Sequence, residues 1–351
     1  MTKTNPGNFF EDFKLGQEIV HATPRTVTGG DVALYTALTG SRFALHSADT
    51  FAQSLGLEAA PVDDMLVFHI VFGKTVPDVS LNAVANLGYA AGKFGKPVYV
   101  GDTLATKSTV IGLKENSNRQ TGTVYVRSVG TNQRNETVLD YCRWVMVRKR
   151  DAEAPVGAAE VPKLPDAVKV QDFTVPVHLN LDEYDTVKAG SPHLWEDYQA
   201  GERIDHVDGM TIEEAEHAMA TRLYQNTAKV HFNQHTESQG RFGKRLIYGG
   251  HIISLARALS FNGLANALRI SAINGGRHVA PTFAGDTIYA WTEVLEAQPL
   301  SARQDAGALR LRTFATKDKP CADFPGALDG GKYDPAVVLD LDYWVLMPRR
   351  G

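Results

Sequence analysis

Phe10-Glu11-Asp12-Phe13-Lys14-Leu15-Gly16-Gln17-Glu18-Ile19 is answered, 185 positions later, by Trp195-Glu196-Asp197-Tyr198-Gln199-Ala200-Gly201-Glu202-Arg203-Ile204. The same offset pairs His21 with His206 and His46 with His231. Further on, Pro97-Val98-Tyr99-Val100-Gly101-Asp102-Thr103 matches Pro281-Thr282-Phe283-Ala284-Gly285-Asp286-Thr287 at an offset of 184. Val138-Leu139-Asp140 and Trp144-Val145 match Val338-Leu339-Asp340 and Trp344-Val345 at an offset of 200. Order is kept, and the offset drifts only as loop insertions would make it drift. A repeat of this length is one structural unit copied. The expected organisation is an N-terminal copy over 1–150, a linker over 151–192 and a C-terminal copy over 193–351.

The linker carries Pro155, Pro162, Pro165 and Pro176, with Ala and Gly between them. Proline removes a backbone donor, so this composition suits an extended connection. Residues 173–181 are the one stretch expected to form a short edge strand, since Pro176 bars them from a sheet centre.

In the first copy, residues 65–72 (Met-Leu-Val-Phe-His-Ile-Val-Phe) are apolar on every side, and 252–259 take the same place in the second. A helix apolar all round must be buried all round. Strand-like segments follow each: 98–112, 121–130 and 137–148, then 287–295, 308–316 and 336–347. They are rich in Val, Thr, Tyr and Trp alternating with polar residues. Antiparallel strands around a buried helix define an α+β arrangement. The two Gly-Asp-Thr turns read as strand starters on turn chemistry.

Composition excludes several function classes. The 351 residues carry 36 Lys and Arg against 40 Asp and Glu, a formal charge of −4, so no broad nucleic-acid face is expected. Two cysteines, Cys142 and Cys321, form no disulfide framework, which fits a reducing compartment. Residues 1–8 are polar and lack a secretory apolar core. No uncharged apolar run reaches the roughly 18 residues of a membrane span. The expectation is a cytoplasmic protein with no membrane or nucleic-acid partner. A homodimer is the default assembly.

Asn226-Thr227-Ala228-Lys229-Val230-His231, followed 18 residues after the histidine by Gly249 in Leu246-Ile247-Tyr248-Gly249-Gly250, resembles the site of the MaoC-like hydratases, the hydratase 2 group of the hotdog fold. That family reads Asp-x-Asn-Pro-x-His, then a glycine opening the central helix. The first copy offers Ser41 to His46, with Asp64 at the glycine position. Asn226 and Ser41 replace the family's aspartate, and neither copy keeps Asn-Pro. The resemblance spans both copies. It implies a double hotdog, each copy a curled antiparallel sheet around a long helix, and reversible hydration of an enoyl-CoA without a cofactor, CoA being part of the substrate.

Such hydration needs a base for water, an acid for Cα and donors for the enolate oxygen of the thioester. By resemblance His231 is the base for water and a candidate acid for Cα, whereas Asn226, standing where the family has aspartate, is expected to hold the attacking water or to orient His231. Gly249 and Gly250 open the second helix, whose N–H groups suit the oxyanion. Asp63 and Asp64 at the equivalent turn would oppose an enolate, so the working site is expected in the second copy and His46 is expected to be a relic. With Asn226 unable to titrate, Asp49, Asp63, Asp64 and Glu237 are candidates for a second proton-transfer group.

Lys229, Gln234, His235, Arg241, Lys244 and Arg245 crowd the motif. As a group they suggest a short acyl chain bearing a free carboxylate, since a buried carboxylate needs a paired charge. Arg277 is a candidate for the nucleotide end of CoA. His231 and His235 are spaced for one helical face, but no Glu-x-x-His pattern accompanies them and no metal is expected. Two other readings stay open: an (R)-specific enoyl-CoA hydratase or 3-hydroxyacyl-CoA dehydratase for aliphatic chains, and a non-catalytic acyl-CoA-binding protein.

Overall fold

The computed structural model describes residues 3–301 and 303–350. The first copy runs β1 (Glu18–Thr26), α1 (Gly29–Thr39), α2 (Ala44–Ser47), α3 (Asp49–Ser54), α4 (Asp64–Thr75), β2 (Ala83–Phe94), β3 (Thr103–Glu115), β4 (Thr121–Thr131) and β5 (Thr137–Arg148). A one-turn helix α5 (Thr186–Ala189) lies in the connection. The second copy runs β6 (Arg203–Thr211), α6 (Glu214–Leu223), α7 (Lys229–Phe232), α8 (Gln234–Glu237), α9 (Gly249–Leu259), α10 (Phe261–Leu264), β7 (Arg269–His278), β8 (Thr287–Pro299), β9 (Ala306–Lys317) and β10 (Val337–Pro348). The first residues of α1, α2, α3 and α4 each recur 185 positions later at α6, α7, α8 and α9.

All ten strands form one antiparallel sheet in the order β1-β3-β4-β5-β2-β7-β10-β9-β8-β6. The copies join at β2 and β7, where Tyr89 faces Gly276, Ala90 faces Gly275, Gly92 faces Ile273 and Lys93 faces Ala272. This register turns one copy onto the other about a local two-fold axis. The fold is thus the expected double hotdog of α+β class.

Every residue of α4 is buried, and so is every residue of α9 after Gly249. Val, Ile and Phe are mediocre helix formers, so burial rather than propensity holds these helices. One apolar cluster takes in both, including Leu66, Phe68, Ile70, Phe72, Ile252, Ile253 and Leu255. The Gly-Asp-Thr turns do start β3 and β8. Gly101 and Gly285 sit at φ 100° and 96°, and Asp102 and Asp286 accept the N–H groups of Tyr99 and Phe283, each at 2.9 Å. That left-handed turn delays the first strand to Thr103, five residues later than the sequence suggests.

Residues 173–181 form no strand. The N–H of Leu179 instead turns back to the carbonyl of Pro176 at 3.1 Å. Val168, Leu179 and Leu181 are buried with Phe51, Leu55, Trp344 and Leu346 in a second apolar cluster. The connection is thus a strap anchored to the sheet at Val168, Leu179 and Leu181, with residues 155–161 exposed. Four strands are invisible in the sequence: β1, β2, β6 and β7. In β2 the reason is local. It is rich in Ala and Gly, and a Cβ on Gly88 would lie 2.4 Å from the Trp144 indole. Close packing there outweighs strand propensity. No helix among the described residues is long and apolar enough to cross a membrane.

Candidate active site

His231 lies on α7, and its Nδ1 is 2.9 Å from the carbonyl oxygen of Leu246. A carbonyl only accepts, so Nδ1 carries the proton and Nε2 presents a lone pair. Burial depresses the His231 pKa to about 4, partly opposed by the Leu246 bond. The ring is therefore neutral at pH 7 and able to take a proton. Asn226 precedes it, buried, with Oδ1 accepting the Ala228 N–H at 3.2 Å. That bond fixes the amide, leaving Nδ2 without a protein partner among the described residues and free to donate to water.

The N-terminus of α9 completes the arrangement. Its N-cap is Tyr248, which makes no side-chain cap. The N–H of Tyr248 is taken by Nε2 of His217 at 2.9 Å, which fixes His217 as the Nδ1-protonated tautomer. The N–H groups of Gly249 and Gly250 follow without side-chain acceptors, and such groups attract negative charge. A Cβ on Gly249 would lie 2.4 Å from the His278 ring, so only glycine fits there.

The first copy keeps half of this device. His46 Nδ1 is 3.0 Å from the carbonyl oxygen of Pro61, the equivalent bond. Its helix, however, caps itself: Asp63, at the position of Tyr248, accepts the Met65 N–H at 2.8 Å. Ser41 donates to the same carboxylate at 3.3 Å. Asp64, at the position of Gly249, pairs with Arg269 at 3.1 Å and accepts the Ile270 N–H at 2.9 Å. The cavity between Tyr35, Ser41, His46 and Asp63 is only about 10 Å³, room for about one water.

Around His231 stand groups the sequence reading passed over. His217 is 6.3 Å from it and 6.2 Å from His251, centroid to centroid, and Tyr248 is 5.6 Å from it. Burial holds His251 and His278 near pKa 4, with the nearby His231 adding to the effect on His278, and holds His217 near 2, with His231, His251 and Arg245 contributing. The first copy reaches in as well. Tyr89 Oη meets His278 Nε2 at 3.1 Å, and the Phe72 ring lies 5.5 Å from Tyr248. The only signal in sequence is that seven of eleven histidines follow position 190.

None of the four carboxylates considered for proton transfer joins His231. Asp49 accepts the Ala60 N–H, Asp63 and Asp64 are committed as above, and Glu237 sits on the short helix α8. The basic stretch is also dispersed. Lys229, Gln234, His235 and Arg241 are exposed, and Arg245 is held by Glu214 at 2.6 Å. Arg241 lies over Phe242, and Lys244 over Phe283 at 4.4 Å. Gln234 pins the loop, accepting from the Arg245 N–H at 3.2 Å. His231 and His235 fall on two separate short helices rather than on one face. Arg277 is exposed on β7. Among the described residues no three His, Cys, Asp or Glu side chains converge as a metal ion would need.

A continuous ten-stranded sheet around two helices, with one histidine beside the N-cap residue of a helix that has no side-chain cap, defines a double hotdog of the MaoC-like class. The family model for mesaconyl-CoA hydratase matches residues 1–326. The chain is 69% identical over 349 residues to beta-methylmalyl-CoA dehydratase of Chloroflexus aurantiacus, covering 99% of each. It is 59% identical over 347 residues to mesaconyl-CoA hydratase of Cereibacter sphaeroides, covering 99% of this chain and 100% of that one. A solved structure of a MaoC domain protein dehydratase from Chloroflexus aurantiacus superposes at TM-score 0.98 over all of both chains, at 69% identity. Rv0216 of Mycobacterium tuberculosis, a double hotdog, shares the fold at TM-score 0.74 and 23% identity over 98% of this chain and 99% of that one. The chain belongs to the mesaconyl-CoA hydratase family and is a hydro-lyase acting on CoA thioesters.

Proposed function

We propose that this chain interconverts mesaconyl-CoA and β-methylmalyl-CoA by adding and removing water at the second-copy site. The observation that carries the reading is that His231, with Nδ1 bound to Leu246 and Nε2 left as a lone pair, stands 5.6 Å from Tyr248, the N-cap residue of an α9 that has no side-chain cap, in a member of this family. Water rests between Nε2 of His231 and Nδ2 of Asn226. As its oxygen attacks the carbon bearing the carboxylate, its proton passes to Nε2. The alkene electrons move toward the thioester, whose oxygen takes the charge and is held by the N–H groups of Gly249 and Gly250. The imidazolium then returns a proton to the methyl-bearing carbon. One neutral histidine serves as base and then as acid, which suits a site with no carboxylate beside it among the described residues.

No cofactor is needed for this chemistry. In this reading residues 193–351 carry the reaction, 1–150 close one side of the site, and 151–192 strap them together. A homodimer accords with the symmetry preferences of such enzymes. The buried free thiols of Cys142 and Cys321 accord with the cytoplasm. Purified protein should remove the enoyl-thioester absorbance of mesaconyl-CoA. Turnover of crotonyl-CoA alone would point to an aliphatic hydratase. Tight binding of both without turnover would point to a binding protein.

A further inference from the structure

The substrate's free carboxylate needs a cation, and the exposed basic stretch at 229–245 does not supply a buried one. A cavity of about 370 Å³, partly open to solvent, lies where the copies meet beside α7, lined by buried Gly73 and Lys74, half-buried Thr227 and exposed Ala22, Arg222 and Gln225, among others. Lys74 is 4% exposed, and its only partner among the described residues is Gln225 Oε1, at 2.5 Å. No carboxylate among the described residues pairs with it. A buried ammonium with one neutral acceptor is poorly compensated and calls for an anion. Arg222 at the same cavity has no ion-pair partner among the described residues. Arg25, close enough to Lys74 to affect its titration, is bound to Asp31 and the Leu223 carbonyl.

His231 and Asn226 do not line the cavity, but their neighbours along the chain do. Gln225 is the residue before Asn226, Thr227 follows it, and Phe232, which also lines the cavity, follows His231. Lys74 lies in the last turn of α4 next to Gly73, where the Tyr224 carbonyl approaches so closely that a Cβ would lie 1.8 Å from its oxygen.

The repeat supplies a control. Shifted by 185, Lys74 becomes Leu259, Arg25 becomes Met210 and Arg222 becomes Ala37. None of these three cations has a cationic counterpart in the other copy, where Arg42, at the position of Thr227, lies instead over the Phe261 ring at 4.7 Å. Gln225 corresponds to Gly40, and both adopt left-handed backbone, at φ 55° and 67°. Glycine takes that conformation freely, whereas a glutamine there is strained. The second copy keeps a strained glutamine whose side chain grips Lys74, where the first keeps a glycine against which Met210 packs.

We propose that Lys74, positioned by Gln225 and supported by Arg222, binds an anionic group of the substrate in this cavity, namely the acyl carboxylate. The inference rests on the proposed function and names its specificity residue. The other buried cation without a carboxylate near this site, Arg143, is fully buried. It is held by Thr75, Ser80 and Asn86 and by the Phe72 ring at 4.4 Å, and it lines neither of the cavities described here.

The test is calorimetric binding of succinyl-CoA and butyryl-CoA, which differ in a terminal carboxylate, to wild type, Lys74→Met, Lys74→Arg and Arg143→Met. Thermal melting checks that each variant folds. Wild type should prefer succinyl-CoA at least tenfold. Lys74→Met should erase the preference while leaving butyryl-CoA within about threefold, and Lys74→Arg should keep most of it. In turnover, Lys74→Met should lose about 100-fold in kcat/KM on mesaconyl-CoA. Equal weakening of both ligands would assign the cavity to the phosphates of CoA and overturn the carboxylate assignment. Loss of the preference in Arg143→Met but not in Lys74→Met would also overturn it. The binding arm is read even if the protein fails to hydrate mesaconyl-CoA, so the two readings fail separately.

Discussion

His69 Nε2 and Ser254 Oγ are hydrogen-bonded at 2.7 Å, and these two residues occupy the same position of the repeat, 185 apart. Only residues beside the two-fold axis can meet their own counterparts. The bond therefore marks where α4 and α9 cross, and it orients them head to tail. The end of α4, with Phe72 and Lys74, is thereby brought to the start of α9, with Tyr248 and Gly249. The His69 ring, buried and flanked by Tyr35 and Tyr224, is held neutral by its burial, with His251 adding to the effect.

Replacing His231 with alanine removes the lone pair that takes the proton. The expected loss in kcat is about 10³-fold, typical of a general base. His46→Ala should keep kcat near wild type, because its cavity admits about one water and its helix end is self-capped. Steady-state kinetics on mesaconyl-CoA decide both. Equal losses would mean that two sites work.

Gly249→Ala drives a methyl group to within 2.4 Å of the His278 imidazole. The helix end must shift, and its donors shift with it, so kcat should fall about 100-fold. The double variant Gly249→Ala, His278→Ala should lose less than the two single losses combined, since the smaller side chain relieves the clash.

Asp63→Ala takes the cap from α4. The expected cost is about 1 kcal/mol of stability, measured by denaturant unfolding, with kcat unchanged. A fall in kcat without a fall in stability would instead give Asp63 a part in proton transfer.

The buried histidines make the fold acid-sensitive. His206, His231, His251 and His278 have folded pKa values of about 4, and His217 of about 2, against about 6.5 unfolded. Between those values the unfolded chain binds more protons. Stability is therefore full above pH 6.5 and declines as pH falls toward 4, by at most roughly 1.4 kcal/mol per pH unit for each ring. Melting temperatures at pH 7.5 and 5.0 should differ clearly. In contrast, kcat/KM should hold down to about pH 5, with an acid limb near 4 on the folded enzyme.

The sequence reading and the structure agree wherever a single position carries the information. The all-apolar runs became α4 and α9, the Gly-Asp-Thr turns started strands, and Gly249 opened its helix. They part wherever meaning comes from a neighbour in space. Lys74 follows an apolar helix run in the sequence, and only the fold sets Gln225 against it. His217, His251 and His278 lie on three different elements. The basic residues after Lys229 are close together along the chain and yet point into solvent or toward local partners. Strand β2 lacks the usual residues because it must pass beneath Trp144.

The seam between β2 and β7 has one further consequence. In a dimer of identical chains, every change on one side of the axis is made on the other. Here the strap joins the two sides into one polypeptide, so each site can drift alone. One side could acquire Lys74, Arg25 and Arg222 while its mirror position took Leu259, Met210 and Ala37. Covalent fusion thus released the molecule from its own symmetry, and discrimination between substrates could be built on one side without spoiling the packing on the other.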